Sequence, residues 1–341
     1  MAVSTIPEVS VVMPVYNGAT TLPEALTSLR EQSFGDFEIV VVDDGSRDET
    51  PQVLADWTDE RVRVIEIPHS GIIEALNAGL NACRGELVAR MDADDRCHPT
   101  RLQRQVEHLR AEPGLNLLAS RVNAFPSDDV AEGFRIYLEW QNALITHEQI
   151  CREIFIESPF AHPTVMFRRK PVLAMGAYQE HGWAEDYDLW LRMHHRGWSF
   201  AKLPEALVEW REHPDRATRT DSRYSVENFL RAKAHYLCAG PLAGRETIIV
   251  WGAGKTGRRL SKYLIRTGYA PAVFIDVVPG KIGSKLRQIP IIGPDDLAAA
   301  RARLGQPFLL VAVASRGARE LIRAELDRQH WTEGVDYLCV A

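Results

Sequence analysis

Short apolar runs alternate with amphipathic stretches along the N-terminal part of the chain. Val9-Ser10-Val11-Val12-Met13-Pro14-Val15 reads as a buried strand, halted by Pro14 and the turn-prone Asn17-Gly18. Thr21, with Pro23 in the first turn and Glu24 three residues on, predicts the cap of a helix from Leu22 to about Gln32. Phe37 to Val42 is a second strand, ended by Asp43-Asp44-Gly45-Ser46. A helix over Pro51 to Trp57, a strand over Val62 to Glu66, a helix over Gly71 to Ala82 and a strand over Gly85 to Met91 continue the series. This alternation predicts an α/β fold with a mostly parallel sheet covered on both faces. Ligands of such sheets lie beyond the carboxyl ends of the strands. Three of those ends carry polar groups here: Tyr16-Asn17, Asp43-Asp44 and Asp92-Ala93-Asp94-Asp95.

The last of these is the most specific. Side chains alternate along an extended segment, so Asp92 and Asp94 are expected to project the same way. Paired carboxylates there suit a hard divalent cation carrying a diphosphate. Asp95 is read as a cap for a helix starting near Pro99-Thr100-Arg101-Leu102. Asp43 could accept a hydrogen bond from a uracil imide, although an Asp-Asp-Gly-Ser strand end is also an ordinary polar turn.

Farther along, Ser158 to Phe167, which resembles a strand of the family named below, contains His162, which either approaches a ligand or is bonded to backbone. Glu185-Asp186 opens an amphipathic helix marked by Leu189, Trp190 and Met193. Acidic residues also favour a helix's first turn for electrostatic reasons alone. Ser222 to Leu237 predicts a connecting helix, and Leu237 to Arg245 a linker. A second α/β unit then begins. The strand Glu246 to Trp251 runs into Gly252-Ala253-Gly254-Lys255-Thr256-Gly257, a helix from Arg258 to Thr267, and a strand closing at Asp276. Gly252, Gly254, Gly257 and Asp276 fit a dinucleotide fingerprint in spacing and context.

Composition narrows the class. At 341 residues the chain predicts more than one domain, with 45% hydrophobic residues to fill the cores. A net charge of −6 without a basic stretch argues against a nucleic-acid partner. Five scattered cysteines with no C-x-x-C pair predict reduced thiols rather than disulfides or a zinc site. Met1 to Thr5 has no leader character, and no run of about 18 apolar residues is long enough to cross a bilayer. A cytoplasmic protein is expected, with peripheral attachment to the inner face of the cytoplasmic membrane left open.

Val11 to Asn17, Val41 to Ser46, Ala75-Leu76-Asn77-Ala78-Gly79-Leu80 and Met91 to Asp95, in this order and spacing, resemble the family 2 glycosyltransferases; weaker similarity continues to about Arg219. The resemblance implies a GT-A nucleotide-diphospho-sugar transferase fold, an inverting mechanism, a nucleotide-sugar donor and usually manganese or magnesium. It implies that Pro14, Tyr16, Asn17, Asp43 and Asp44 hold base and ribose. Asp92 and Asp94 become its Asp-x-Asp element, with Asp94 the first metal ligand and Asp92 on ribose or metal. An inverting transfer also needs a carboxylate to take the acceptor's proton. The family's Glu-Asp motif places Asp186 in that role, with Glu185 assisting or touching the acceptor. Arg211-Glu212-His213 resembles the family's Arg-x-His element, making His213 a third metal ligand and Arg211 a diphosphate contact; a surface loop is the alternative. The Gln-x-x-Arg-Trp motif of processive synthases is absent, which points to single-sugar transfer onto a glycan or lipid-linked acceptor in surface polysaccharide synthesis.

The expected organisation is a GT-A domain over residues 1–220, a connecting helix and linker over 221–245, and a small Rossmann-like domain over 246–341. That last domain resembles those found beside sugar-modifying transferases. It is expected to hold a dinucleotide or other nucleotide, or to serve an interaction. An NAD-linked oxidoreductase is the weaker alternative, because no second catalytic half follows. A nucleotide-sugar sensor or scaffold without turnover is the other alternative.

Overall fold

The computed structural model describes residues 6–126, 130–214 and 216–341. Met1 to Thr5, read above for leader character, lie outside the described residues. The chain divides into two compact units. The first comprises Met1–Ile150, Pro159–His181 and Glu185–Arg216; the second comprises Cys151–Ser158, Gly182–Ala184 and Ala217–Ala341.

In the first unit the alternation yields β1 (Val9–Val15), α1 (Leu22–Arg30), β2 (Phe37–Asp43), α2 (Thr50–Ala55), β3 (Val62–Glu66), α3 (Ile72–Ala82) and β4 (Leu87–Arg90). Then follow β5 (Arg96–Cys97), α4 (Arg101–Ala111), β6 (Leu117–Phe125), α5 (Glu132–Ala143), α6 (His147–Glu153), whose last turn passes into the second unit, β7 (Met166–Arg168), α7 (Arg169–Ala174), α8 (Glu185–His195) and β8 (Phe200–Arg211). Among the described residues these strands make an eight-stranded sheet in the order β3-β2-β1-β4-β7-β6-β8-β5. β1, β2, β3 and β4 pair in parallel, while β7 runs antiparallel to β4 and β6. Every residue of β1 and β2 is buried, as expected of strands covered on both faces. Chain order reverses between β1 and β4, so the crevice beyond their carboxyl ends is the natural ligand position.

Two expectations change locally. The stretch around His162 is a short 3-10 turn (His162–Thr164) followed by a three-residue strand, not a continuous strand. Pro163 offers no N–H to a ladder, which accounts for the delay. The strand expected to reach Met91 ends at Arg90, and a turn follows at Ala93-Asp94.

The second unit contains α9 (Ala217–Thr220), α10 (Val226–Ala239), β9 (Ile248–Trp251), α11 (Lys255–Arg266), β10 (Pro271–Ile275), β11 (Lys285–Leu286), β12 (Ile289–Ile292), α12 (Leu297–Leu304), β13 (Phe308–Val311), α13 (Ala318–Arg328) and β14 (Tyr337–Cys339). Its six strands, in the order β11-β12-β10-β9-β13-β14, are parallel except for β11. α11 starts three residues earlier than expected, so Gly257 lies inside it. The residues at 151–158 and 182–184 belong structurally here as well: buried Lys233 donates to Ile156 O, and Arg323 pairs with Glu153 (2.5 Å). Among the described residues no helix is long and apolar enough to cross a membrane.

Candidate active site

The loops after β1 and β2 fix each other. Asp44 N donates to Val15 O (2.9 Å), Asn17 N to Ser46 Oγ (2.9 Å), and Arg47 N to Asn17 Oδ1 (2.8 Å). Asn17 sits at φ 52°, a left-handed conformation that asparagine tolerates better than most side chains. Pro14 is buried in β1. Tyr16 is 42% exposed and stacks on His69 with ring centres 4.1 Å apart. Asp43 is buried; its Oδ1 accepts from Ser46 N (2.9 Å), and its other oxygen has no protein donor among the described residues. Asp44 instead accepts from Ser70 N (2.7 Å) and Gly71 N (2.9 Å), so its carboxylate shapes the loop before α3.

The acidic knot is a turn, not a strand end. Asp92, Asp94 and Asp95 each offer an oxygen, all lying within 4.8 Å of one another. The turn after Arg90, rather than side-chain alternation, brings Asp92 and Asp94 together. Asp95 does not cap α4, whose N-cap is Thr100, because β5 and Pro99 intervene. Fully buried, Asp95 accepts from Arg211 N (2.7 Å) through Oδ1, while Oδ2 has no hydrogen-bond partner. Burial, and then the neighbouring Asp92, raises the Asp94 carboxyl above its usual range against the pull of His213 and Arg90. Burial, followed by Asp92 and Asp94, raises Asp95 well above it. An orphaned buried oxygen and crowded like charges are what a hard divalent cation would relieve, so these residues fit one. His213 Nε2 lies 3.0 Å from Asp94 Oδ2, within reach of the same place.

Arg211, which the resemblance implies as a diphosphate contact, is held against the acidic turn. Its Nε donates to Asp94 O (2.6 Å), its Nη2 meets Glu24 of α1, and the guanidinium lies over the Phe125 ring. It thereby braces the acidic turn.

Two arginines escape sequence reasoning. Arg90 is buried in β4 and ion-paired with Asp92. Burial is the largest single influence and would lower its pKa, but Asp92, Tyr178 and Asp95 together outweigh it and raise the value. Arg101, fully buried at the start of α4, donates to Arg90 O (2.9 Å) and to Gln105 Oε1 (3.1 Å). The signal for Arg90 was present: a lone cation inside an apolar strand must have a partner.

At the start of α8, Glu185 is buried, whereas Asp186 stays partly exposed and accepts from Tyr187 N (2.6 Å). Burial, then Glu185, pushes the Asp186 carboxyl up to about 8, opposed by Arg90. Arg90 thus acts electrostatically on both acidic groups. His162 is buried with Nε2 2.7 Å from the Tyr178 hydroxyl, and burial followed by Arg90 holds it well below its usual pKa. Its ring is bonded to a side chain rather than to backbone, with Nδ1 3.9 Å from Glu185 Oε1.

In the second unit, Gly252 and Gly257 let β9 approach α11, Gly254 is the N-cap of that helix, and Asp276 follows the end of β10. Asp276 accepts from Ala253 N (3.1 Å), Val278 N (3.0 Å) and Lys281 Nζ (2.8 Å).

Comparison with known proteins agrees with the fold. The model of glycosyl transferase family 2 matches residues 10–175, a span that includes the Asp43 and Asp92–Asp95 loops and stops before Glu185. The amylovoran biosynthesis glycosyltransferase AmsE of Erwinia amylovora is 33% identical over 211 residues, 60% of this chain and 77% of that protein. An Escherichia coli UDP-Gal:alpha-D-GlcNAc-diphosphoundecaprenol beta-1,3-galactosyltransferase is 26% identical over 253 residues, 71% of this chain and 88% of that enzyme. The S. aureus TarS 1-349 structure in complex with UDP-GlcNAc shares the fold, with a TM-score of 0.57 at 19% identity over 77% of this chain and 73% of that one. The chain is a glycosyltransferase with a GT-A fold and belongs to glycosyl transferase family 2.

Proposed function

We propose that this enzyme is an inverting, metal-dependent transferase that moves one sugar from a UDP-linked donor to a hydroxyl of a glycan or lipid-linked acceptor in surface polysaccharide assembly. The carrying observation is the convergence of Asp92, Asp94 and Asp95 oxygens within 4.8 Å beyond β4, with one buried oxygen unsatisfied. The relatives that act in amylovoran biosynthesis and on a diphosphoundecaprenol-linked sugar support the acceptor class. The UDP-GlcNAc complex of TarS supports the donor class.

In this reading Asp94 and Asp92, joined by Asp95 and His213, hold manganese or magnesium. Bound there, the cation supplies positive charge to the diphosphate as the glycosidic bond breaks. Asp43 accepts from the base, with Tyr16, Asn17 and Pro14 shaping the loop around it, while Asp44 holds that loop in register. Arg211 positions the acidic turn. Asp186 takes the proton from the acceptor hydroxyl as its oxygen attacks the anomeric carbon, and Glu185 sets the basicity of Asp186. Attack from the face opposite the leaving diphosphate inverts the centre.

The test is a donor screen on the purified full chain with manganese, following melting temperature first and then sugar transfer to undecaprenyl-diphosphate-linked acceptors. A ligand that binds the folded state raises the melting temperature with its affinity. Transfer from UDP-sugars only with the cation present is expected. Transfer from other nucleotide sugars alone would refute the donor assignment, and equal transfer with the cation chelated would refute the metal assignment.

A further inference from the structure

Two cavities meet at the start of α11. One, of about 590 Å³, is walled by Val278, Val313, Ala314, Leu321 and Ile322. The other, of about 520 Å³, is ringed by Arg258, Arg259, Lys262 and Arg287, with Glu227 the sole acid in its lining. Gly254, Lys255 and Lys281 line both. The side chains of Lys255, Arg258 and Arg259 have no ion-pair partner among the described residues, whereas Lys262 is paired with Glu227 and Lys281 with Asp276. An apolar pocket opening onto unpaired cations suits a ligand with a flat apolar end and a multiply charged anionic end.

The glycines sharpen this. Gly252 has φ +122°, and a Cβ there would lie 2.7 Å from Ala312 O. A Cβ on Gly257 would fall 1.8 Å from Gly252 O, so helix and strand could not approach. Both are required by the fold. Gly254 is not: its φ is −83°, and a Cβ would meet nothing within 4 Å. The side chain missing at Gly254 leaves the junction of the two cavities open. There the first N–H groups of α11 have no intrahelical acceptor and favour an anion.

The acid at Asp276 narrows the class. Three protein donors already converge on it. About one of the carboxylate's roughly four acceptor positions is left for the paired ribose hydroxyls that a dinucleotide site binds with such an acid, and Lys281 places a cation beside it.

We propose that the second unit is a binding site for a nucleoside diphosphate, free or sugar-linked, with its base in the apolar cavity and its phosphates at Gly254–Lys255 against Arg258 and Arg259. This site is separate in residues from the one assigned to transfer.

The experiment is hydrogen–deuterium exchange on the full chain titrated with UDP, ADP, a UDP-sugar, NAD and inorganic pyrophosphate, read peptide by peptide. Slowed exchange across residues 252–259 and 276–282 is expected with nucleoside diphosphates. A UDP-sugar that protects more strongly than UDP identifies the sugar-linked form as the ligand, and the reverse identifies the free form. Two variants should weaken this local protection by about tenfold or more: Lys255→Glu with Arg258→Glu, both exposed, and Gly254→Leu, whose Cβ meets nothing within 4 Å. Equal protection by pyrophosphate would overturn nucleoside recognition, and strongest protection by NAD would overturn the mononucleotide class. No protection with any of these ligands, or protection that both variants retain, would overturn the site itself.

Discussion

Arg90, buried within β4, is ion-paired with Asp92 two residues along the chain. The pair places a fixed positive charge beneath three crowded carboxylates, and its field also reaches Asp186. Arg90 Nε has no acceptor, so the guanidinium is held by charge more than by hydrogen bonds. Arg90→Leu should therefore lower stability by about 3 kcal/mol, the low end for a broken buried pair because Asp92 keeps some solvent contact. Urea unfolding of both proteins measures it. A loss well under about 1 kcal/mol would place the pair among weak surface bridges instead.

Asp95 should give the metal-free protein a characteristic pH dependence. Its folded pKa lies well above the ordinary 3.8, so the folded state holds a proton that the unfolded state releases. The associated stability is complete below 3.8 and is lost as pH rises through the raised folded value. In chelator, Asp95→Asn should melt higher than the unsubstituted chain at neutral pH, with the gap closing in acid. Manganese should stabilise the unsubstituted chain more than the variant. Calorimetry at two pH values, with and without the cation, reads all four cases.

Asp186→Asn should reduce turnover by roughly a hundredfold to ten-thousandfold, the span of a lost general base, while leaving donor affinity in place. Because burial and Glu185 push Asp186 up to about 8, kcat/KM of the unsubstituted enzyme should rise with pH through that value. Glu185→Gln removes the adjacent like charge and should move the rising limb toward acid. A limb that stays in place in Glu185→Gln would show that another group is titrating.

Asp43→Ala removes a buried carboxylate with one oxygen free of protein donors. Loss of a charged hydrogen bond to the base should weaken UDP binding by about 2 kcal/mol, roughly thirtyfold, in calorimetric titration. Asp44→Ala should act differently. It releases Ser70 N and Gly71 N, and should lower melting temperature as well as affinity.

The first unit was largely legible from its sequence because its signals are local. Apolar runs such as Val9–Val15 fix a strand, and polar residues at the ends of β1, β2 and β4 mark one edge of a parallel sheet. What escaped depends on distant partners. Nothing near Arg211 announces that its guanidinium ties Asp94 O to Glu24, residues from two other parts of the chain. Asp95 resembled a helix cap because spacing cannot reveal a two-residue strand between it and α4. In the second unit, the glycine pattern located the turn between β9 and α11 but put the helix start at Arg258, three residues late. Only coordinates show that Asp276 is already engaged by Lys281.

The interleaving of the chain between the two units has a practical bearing on how the gene can be shortened. A polypeptide ended at residue 220 would retain 151–158 and 182–184 but lose the rest of the body to which they belong. Ile156 O would lose the Lys233 ammonium, and Glu153 would lose both Arg319 and Arg323. Evolutionary shuffling or laboratory excision at that point therefore does not free an independent module; it leaves two stranded segments, one of them immediately before Glu185.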